Sequence, residues 1–392
     1  MFFIDEEEMN MMRNQLPSGV RDELGASAQI KEQIVATIQR YFAKRGFEKV
    51  ITPVVEYQDV FEDYDVGQKK LFKFLAADGN MVVLRPDLTL PLARVISSTN
   101  IKLPAKFYYT GDIFRINRAL SGSQDEMTQA GAELIGFDSV KAEQECLVMM
   151  MQLSDRLALT GVQLELGIAR FAKLILESLV ADERQVRQIE DALFQKQVTQ
   201  YNQLIAPFEK AALYPLLRIW PRLFGPAATV LETVSQFTFP AVIQRELDEL
   251  RQIVAWLADK FGEQDVQIDL SAKAPQDYYT GITFQAYSDH SSSYLFSGGR
   301  YDHLLAHFQE TNVAAIGLGI DIERLVEIKQ ATAPTQPMTY IYFDDQQWAL
   351  AEQKLMTLDR AQLCLADSRE QAQQIADAHE GRLLDLTKEA SI

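Results

Sequence analysis

The residues best placed to do chemistry lie in Gln129-Ala130-Gly131-Ala132-Glu133-Leu134-Ile135-Gly136. Read as a strand, this run puts Gln129, Gly131, Glu133 and Ile135 on one face and Ala130, Ala132 and Leu134 on the other. A carboxylate and an amide then share a face with only glycine between them. Glycine inside a strand marks close approach of a ligand or another backbone. The pattern suits the floor of a pocket for a small ligand carrying positive charge, and it equally suits a solvent-facing strand. Arg115 closes the aromatic run Phe107 to Phe114, where a guanidinium can grip a carboxylate or phosphate or make a surface ion pair. Asp277-Tyr278-Tyr279-Thr280-Gly281, read as a strand, sends its two tyrosines to opposite faces, one hydroxyl into a pocket and one ring into packing. Ser297-Gly298-Gly299-Arg300-Tyr301-Asp302 reads as a glycine pair followed by a helical run.

Other chemistries lack their parts. Ile316-Gly317-Leu318-Gly319-Ile320 does not have the spacing of a dinucleotide loop. His303 and His307 are four apart, a spacing that can chelate a metal, but no third ligand or intervening glutamate accompanies them. No metal and no cofactor is expected. With two cysteines, Cys146 and Cys364, neither a disulfide framework nor a four-cysteine zinc site can be built.

The elements around these residues follow from pattern. Ile30, Ile34, Ile38 and Tyr41 recur at helical spacing, with Ser27 as the expected cap and Gly46 as the stop. Val50 to Val55 reads as a strand interrupted by Pro53. Met81 to Leu84 is a short strand, residues 117 to 128 form a hairpin with a mobile tip, and a helix spans about Ser139 to Thr160. From about 171 to 261 alternation gives way to runs rich in Leu, Ala, Glu and Gln, the pattern of a helical insertion. Strands return at Val266 to Leu270. A proline-punctuated linker covers 331–337, and residues 338–392 read as a small α/β unit of two βαβ steps. The core is thus 1–330.

The chain has 392 residues and a net charge of -17, from 38 Lys+Arg against 55 Asp+Glu. So acidic a chain is ill suited to the phosphate backbone, and tRNA binding is not expected. The acidic start, Met1 to Glu8, has no cationic segment followed by an apolar run, and no apolar stretch is long enough to span a bilayer. A soluble cytoplasmic protein is expected.

Taken in order, these segments resemble the catalytic core of a class II histidyl-tRNA synthetase, from about Leu16 to about Leu325. The matching runs are Leu16-Pro17-Ser18-Gly19-Val20-Arg21-Asp22, Thr52-Pro53-Val54-Val55-Glu56, Leu84-Arg85-Pro86-Asp87-Leu88-Thr89, Phe114-Arg115 through Glu133, Asp277 to Gly281, Gly298 to Asp302 and Gly317 to Leu325. The resemblance implies an α+β fold, an antiparallel sheet flanked by helices, dimerising through the Thr52–Glu56 region. It also implies a pocket for the amino acid histidine made of Asp87, Thr89, Arg115, Gln129, Glu133, Tyr278 and Tyr279. There, acidic groups would take the α-ammonium, Glu133 and a tyrosine the imidazole, and Arg115 the carboxylate.

The departures from that family fall on its ATP and tRNA apparatus. Asn117 stands where the second motif has glutamate, and Ala274 where an arginine serves activation. Asp321 replaces a glycine of the third motif, although Arg324 is kept. The hairpin tip, Ser121 to Glu126, is neutral and then acidic, and the tail is too short for the usual anticodon-binding domain. A retained histidine pocket without an activation apparatus resembles the family of regulatory subunits of ATP phosphoribosyltransferase. That resemblance implies a non-catalytic chain that binds and activates a short-form catalytic subunit in a hetero-octamer of four plus four, with histidine as feedback effector. The enzymatic alternative, a working synthetase, requires histidine-dependent ATP–pyrophosphate exchange, and the losses at Asn117 and Ala274 count against it.

Overall fold

The computed structural model describes residues 14–62, 71–99, 101–116, 124–262, 266–332 and 337–391. They form two compact units, up to Gln330 and from Ala331 onward. In the first unit, α1 (Ala26–Lys44) leads through the short β1 (Glu48–Lys49) to β2 (Val55–Tyr57), β3 (Lys73–Leu75) and β4 (Met81–Leu84). Next come α2 (Thr89–Ser98) and a long hairpin of β5 (Ala105–Phe114) and β6 (Glu126–Ile135). Of the hairpin expected over residues 117–128, residues 117–123, with Asn117 and the first half of the Ser121–Glu126 tip, lie outside the described residues, and Glu126 already belongs to β6. After α3 (Lys141–Arg156) and β7 (Gln163–Ile168) the chain enters a helical stretch. It holds α4 (Phe171–Glu177), α5 (Glu183–Phe194), α6 (Val198–Ile205), α7 (Tyr214–Ile219), the three-residue β8 (Phe224–Pro226), α8 (Ala227–Ser235) and α9 (Ala241–Phe261). β9 (Val266–Asp269), β10 (Ile282–Tyr287), β11 (Phe296–Arg300), β12 (Ala315–Asp321) and α10 (Ile322–Thr332) complete the unit.

Nine strands make one sheet in the order β1-β5-β6-β12-β11-β10-β7-β9-β8. It is antiparallel except where β1 runs beside β5 and β7 beside β9. A separate antiparallel sheet has the order β2-β4-β3. The alternation in β6 separates the sheet's two faces. Ala130, Ala132 and Leu134 are buried in the main core with Ile34, Ile38 and Phe42 of α1 and with Leu147 and Met150 of α3. The opposite face of β5, β6 and β12 looks onto a second, smaller core that includes Tyr109, Tyr278, Tyr279 and Tyr301.

Several local expectations are corrected. Gly25, not Ser27, occupies the N-cap of α1, and the Ser27 hydroxyl donates instead to Glu23. Pro53 breaks the expected strand, so pairing begins only at Val55. The helix after Ser139 is shorter than expected and ends at Arg156, with Ala158 at positive φ. The Gly298-Gly299 pair lies within β11 rather than ahead of a helix, and only a short 3-10 turn, Leu304–His307, follows.

In the second unit, β13 (Thr339–Tyr342) is the middle of a parallel sheet between β14 (Ala361–Cys364) and β15 (Arg382–Asp385), with α11 (Trp348–Thr357) and α12 (Arg369–Ala378) as crossovers. Most of the expected linker, residues 333–336, lies outside the described residues.

Candidate functional site

Register across four strands assembles the site. Gly317 of β12 lies opposite both Glu133 of β6 and Gly299 of β11, and Tyr109 of β5 lies opposite Gly131. Two glycines make room for the chemistry. A Cβ on Gly317 would sit 1.7 Å from Oε2 of Glu133, so the carboxylate lies where a side chain would otherwise stand. A Cβ on Gly131 would fall within 2.5 Å of the Tyr109 ring, which covers that position in the same way.

Glu133 is only 2% exposed. Its Oε1 accepts from the Thr89 hydroxyl at 2.9 Å and the Tyr109 hydroxyl at 2.8 Å, and its Oε2 accepts from the Tyr301 hydroxyl. Burial pushes the carboxyl up to about 7 despite these three donors, and the nearby Asp87 charge adds to the rise. Asp87, 3% exposed, is raised by the same cause, although its Oδ1 accepts from the Leu90 N–H at 2.8 Å at the start of α2 and Arg115 lies close enough to oppose the rise. Its Oδ2 accepts from Tyr278 at 3.4 Å. Two buried carboxyls, both held by hydroxyls and with the Asp87 charge reaching Glu133, thus lie together, an arrangement suited to receiving a cation.

Of the other expected residues, Arg115, Tyr278 and Tyr279 lie beside this pair, and Gln129 lies further along β6. Gln129 holds its amide over Gly319, and its Oε1 is buried without a hydrogen-bond partner among the described residues. Arg115 donates from Nε to the Pro86 carbonyl at 2.7 Å, which brings it beside Asp87. Tyr278 and Tyr279 do not lie on a strand. They occupy a turn before β10, and both are buried on the same side, with rings 5.2 Å apart and edge-on at 76°. The aromatic content suggests β structure, but here packing against Tyr301, 5.7 Å from Tyr278, holds the turn.

Tyr109 and Tyr301 complete the carboxylate's shell, and neither is singled out by local pattern. Tyr109 sits inside an aromatic strand that reads as core, and only its pairing with Gly131 distinguishes it. Among the described residues no three or more His, Cys, Asp or Glu group as metal ligands; His303 precedes the 3-10 turn and His307 ends it.

Beside the site, the retained third-motif arginine is directed elsewhere. Nη1 of Arg324 pairs with Glu327 at 2.9 Å near the surface, and Asp321 accepts from the Arg324 backbone N–H at 3.0 Å. Glu323 is tied to Arg21 at 2.7 Å and Lys31 at 2.6 Å, and it accepts from the Thr128 N–H at 3.0 Å. Ala274 packs against the smaller core.

A family model described as histidyl-tRNA synthetase matches residues 19–325. An ATP phosphoribosyltransferase regulatory subunit from Lactiplantibacillus plantarum is 43% identical over 96% of this chain and 98% of its own length. One of the same description from Lacticaseibacillus casei is 43% identical over 97% of this chain and all of its own length. A crystal structure described as an ATP phosphoribosyltransferase regulatory subunit/histidyl-tRNA synthetase from Bacillus halodurans superposes with a TM-score of 0.80 at 25% identity, covering 95% of this chain and 98% of that one. The sheet order, the glycine-floored carboxylate site and these likenesses agree: the chain belongs to the histidyl-tRNA synthetase family, in the branch of ATP phosphoribosyltransferase regulatory subunits.

Proposed function

We propose that this chain binds and activates the catalytic subunit of ATP phosphoribosyltransferase in the cytoplasm, and that free histidine, bound at the Glu133 site, reverses the activation. The observation that carries this reading is the Glu133 carboxylate, held by three hydroxyls in a buried floor that it shares with Asp87. Histidine brings two groups suited to it, an imidazole and an α-ammonium, and a carboxylate that Arg115 can meet. The orphaned Gln129 Oε1 offers the ammonium a further acceptor. Asp87, Thr89, Tyr278 and Tyr279 close the pocket around the ligand.

The chain does not activate the amino acid in this reading. An adenylating site needs cations aimed at the triphosphate. Here Ala274 supplies none, Arg324 is engaged by Glu327, and Asp321 adds a half-buried carboxyl on that side. Control instead arises from differential affinity. The subunit favours the active form of its catalytic partner, histidine favours the inactive form, and the two effects are reciprocal. A coupling of about 1–3 kcal/mol gives roughly 5–150-fold control.

The assembly is a hetero-octamer of four catalytic and four regulatory chains, built on a dimer of this chain. Ile51, Val54, Val55, Tyr57, Phe74 and Leu75 are all exposed on or beside the small β2-β4-β3 sheet, an apolar patch of the kind that dimers cover. Ile51→Asp combined with Leu75→Asp should yield a monomer by light scattering, and an unchanged dimer would place the interface elsewhere.

The deciding experiment measures phosphoribosyl-ATP formation by the short catalytic subunit with and without this chain. Stimulation that histidine reverses is the expected result. No stimulation and no co-elution would overturn the reading, and histidine-dependent ATP–pyrophosphate exchange would then support a synthetase. A finer check uses Gly317→Ala, which replaces no ligand-contacting residue but puts a methyl where the Glu133 carboxylate lies and so displaces it. Histidine affinity should fall roughly tenfold or more, since small displacements of a positioned group are costly. Calorimetric titration that finds the affinity unchanged would remove Glu133 from the binding site.

A further inference from the structure

The charge of this protein is unevenly spread. Against a net charge of -17, one groove of about 1010 Å³ in the helical stretch is lined by Lys196, Arg218 and Arg222 and by no described carboxylate. Arg218 and Arg222 stand four residues apart across the end of α7, both exposed, and neither has an ion-pair partner among the described residues. Apolar surface lies between and beside the cations. Val198, Ile219 and Phe224 are 47%, 38% and 55% exposed.

The groove is held rigidly from beneath. Between the two arginines, Trp220 is fully buried, donates from Nε1 to the Leu270 carbonyl at 2.8 Å and meets Phe171 edge-on at 5.7 Å. Lys196 donates from Nζ to Ser271 Oγ at 2.6 Å and to its carbonyl at 3.0 Å, and lies 5.5 Å from the centre of the Phe224 ring. The backbone that carries the cations and the Lys196 side chain are therefore fixed before binding, while the exposed Arg218 and Arg222 side chains are left to order on the partner. Phe224 also stands on β8, the outermost strand of the large sheet. Three residues with Gly225 and Pro226 among them make a poor template for adding a strand, so recognition here falls to side chains.

We propose that this groove docks a segment of the catalytic subunit that carries carboxylates flanking one or two apolar side chains. The inference rests on the regulatory reading above. Charge complementarity selects the occupant. An acidic segment is repelled by the body of this chain and attracted at this groove, which fixes both where and how it docks. A nucleic acid would meet the same repulsion along a far longer backbone. The apolar floor then supplies the contact that slows departure.

The test uses the full chain, the catalytic subunit and surface plasmon resonance. R218E/R222E should slow association roughly 10- to 100-fold at low salt and flatten its salt dependence. Phe224→Ser should speed dissociation about tenfold. Histidine affinity of each free variant should match the wild type, which shows that the fold is kept. If both variants associate and dissociate as the wild type does, the groove is not the docking site, and the regulatory reading stands. If the wild-type chain itself does not bind the catalytic subunit, the regulatory reading fails and the docking inference fails with it. Binding of a short single-stranded RNA that the double variant abolishes, with subunit affinity unmoved, would also overturn the proposal.

Discussion

Glu133→Gln should weaken histidine binding roughly 100-fold while making the free protein more stable above neutral pH. Both effects come from one buried carboxyl. For binding, the substitution removes a charge-assisted acceptor and presents an amide N–H towards a donor on the ligand. Hydrogen bonds to charged groups contribute about 1.5–3 kcal/mol, and a buried donor left unmatched costs about as much. The same loss should appear in inhibition, because effector binding and its effect on the partner are linked. Calorimetric titration with histidine checks the first part. A dissociation constant within about threefold of the wild type would mean that Glu133 is not the sensor.

For stability the sign follows from protons. The Glu133 carboxyl ionises at an ordinary 4.5 in an unfolded chain and at about 7 when buried here. Between those values the folded state binds more protons than the unfolded one, so stability falls as pH rises from about 4.5 to 7 and stays lower above. At about 1.4 kcal/mol per tenfold, the burial costs on the order of 3 kcal/mol at pH 8. Glutamine cannot ionise, so its variant lacks that slope. Tyr301 must turn its hydroxyl to accept from the new amide, which offsets part of the gain. Urea titrations at pH 5 and pH 8 should find the variant's advantage only at the higher value. A parallel pH dependence in the two proteins would show that Glu133 titrates normally. With the carboxyl raised as expected, a ligand cation beside it offsets on binding the stability that its burial costs the free protein.

How much of this was legible in the sequence depends on how far each fact lies from one strand. Alternation along residues 129–135 sorts Glu133 from Ala132 and Leu134 correctly, because side-chain direction in a strand is a local property. The three hydroxyls on Glu133 come from Thr89, Tyr109 and Tyr301, and they meet only through the pairing of β5 with β6 and the packing of α2 and of the chain after β11. No spacing rule contains that register. The paired tyrosines at 278 and 279 show the opposite failure. Their type favours strand, but neighbouring rings from distant segments hold them in a turn. The stretch from 171 to 261 reads as helical because strand alternation gives way to runs rich in Leu, Ala, Glu and Gln, yet β8 within it, Phe-Gly-Pro, has nothing that marks a strand. Only the edge position, where a proline costs little, allows it.

Arg85→Leu should destabilise the protein by about 3–5 kcal/mol, the largest loss expected from any single side chain near the site. Arg85 is 5% exposed. Its Nε donates to the Asp112 carbonyl at 2.8 Å, and its Nη1 donates to the Thr52 carbonyl at 2.6 Å and lies 3.2 Å from that of Pro53. Its Nη2 occupies the space that a Cβ on Gly111 would take. One guanidinium thus ties the turn before β2 and the end of β4 to the last third of β5. Leucine fills the volume but leaves three carbonyls without donors, of which the buried Thr52 one costs about 1–3 kcal/mol and those of the exposed Pro53 and Asp112 cost less. Burial already holds the guanidinium below its usual range, so the loss is one of hydrogen bonds more than of charge. Lysine keeps the charge but cannot reach three carbonyls at once, so Arg85→Lys should fall between leucine and the wild type. Two residues further on, Asp87 inherits its position from this grip, and on the other side so does the exposed Ile51–Val55 segment. The substitution should therefore lower urea midpoint, histidine affinity and dimer stability together. Because the urea slope tracks exposed surface, an unchanged slope with a lower midpoint identifies a stability effect. A midpoint shift worth less than about 1 kcal/mol would mean that water replaces the lost donors and that Arg85 does not hold the site in place.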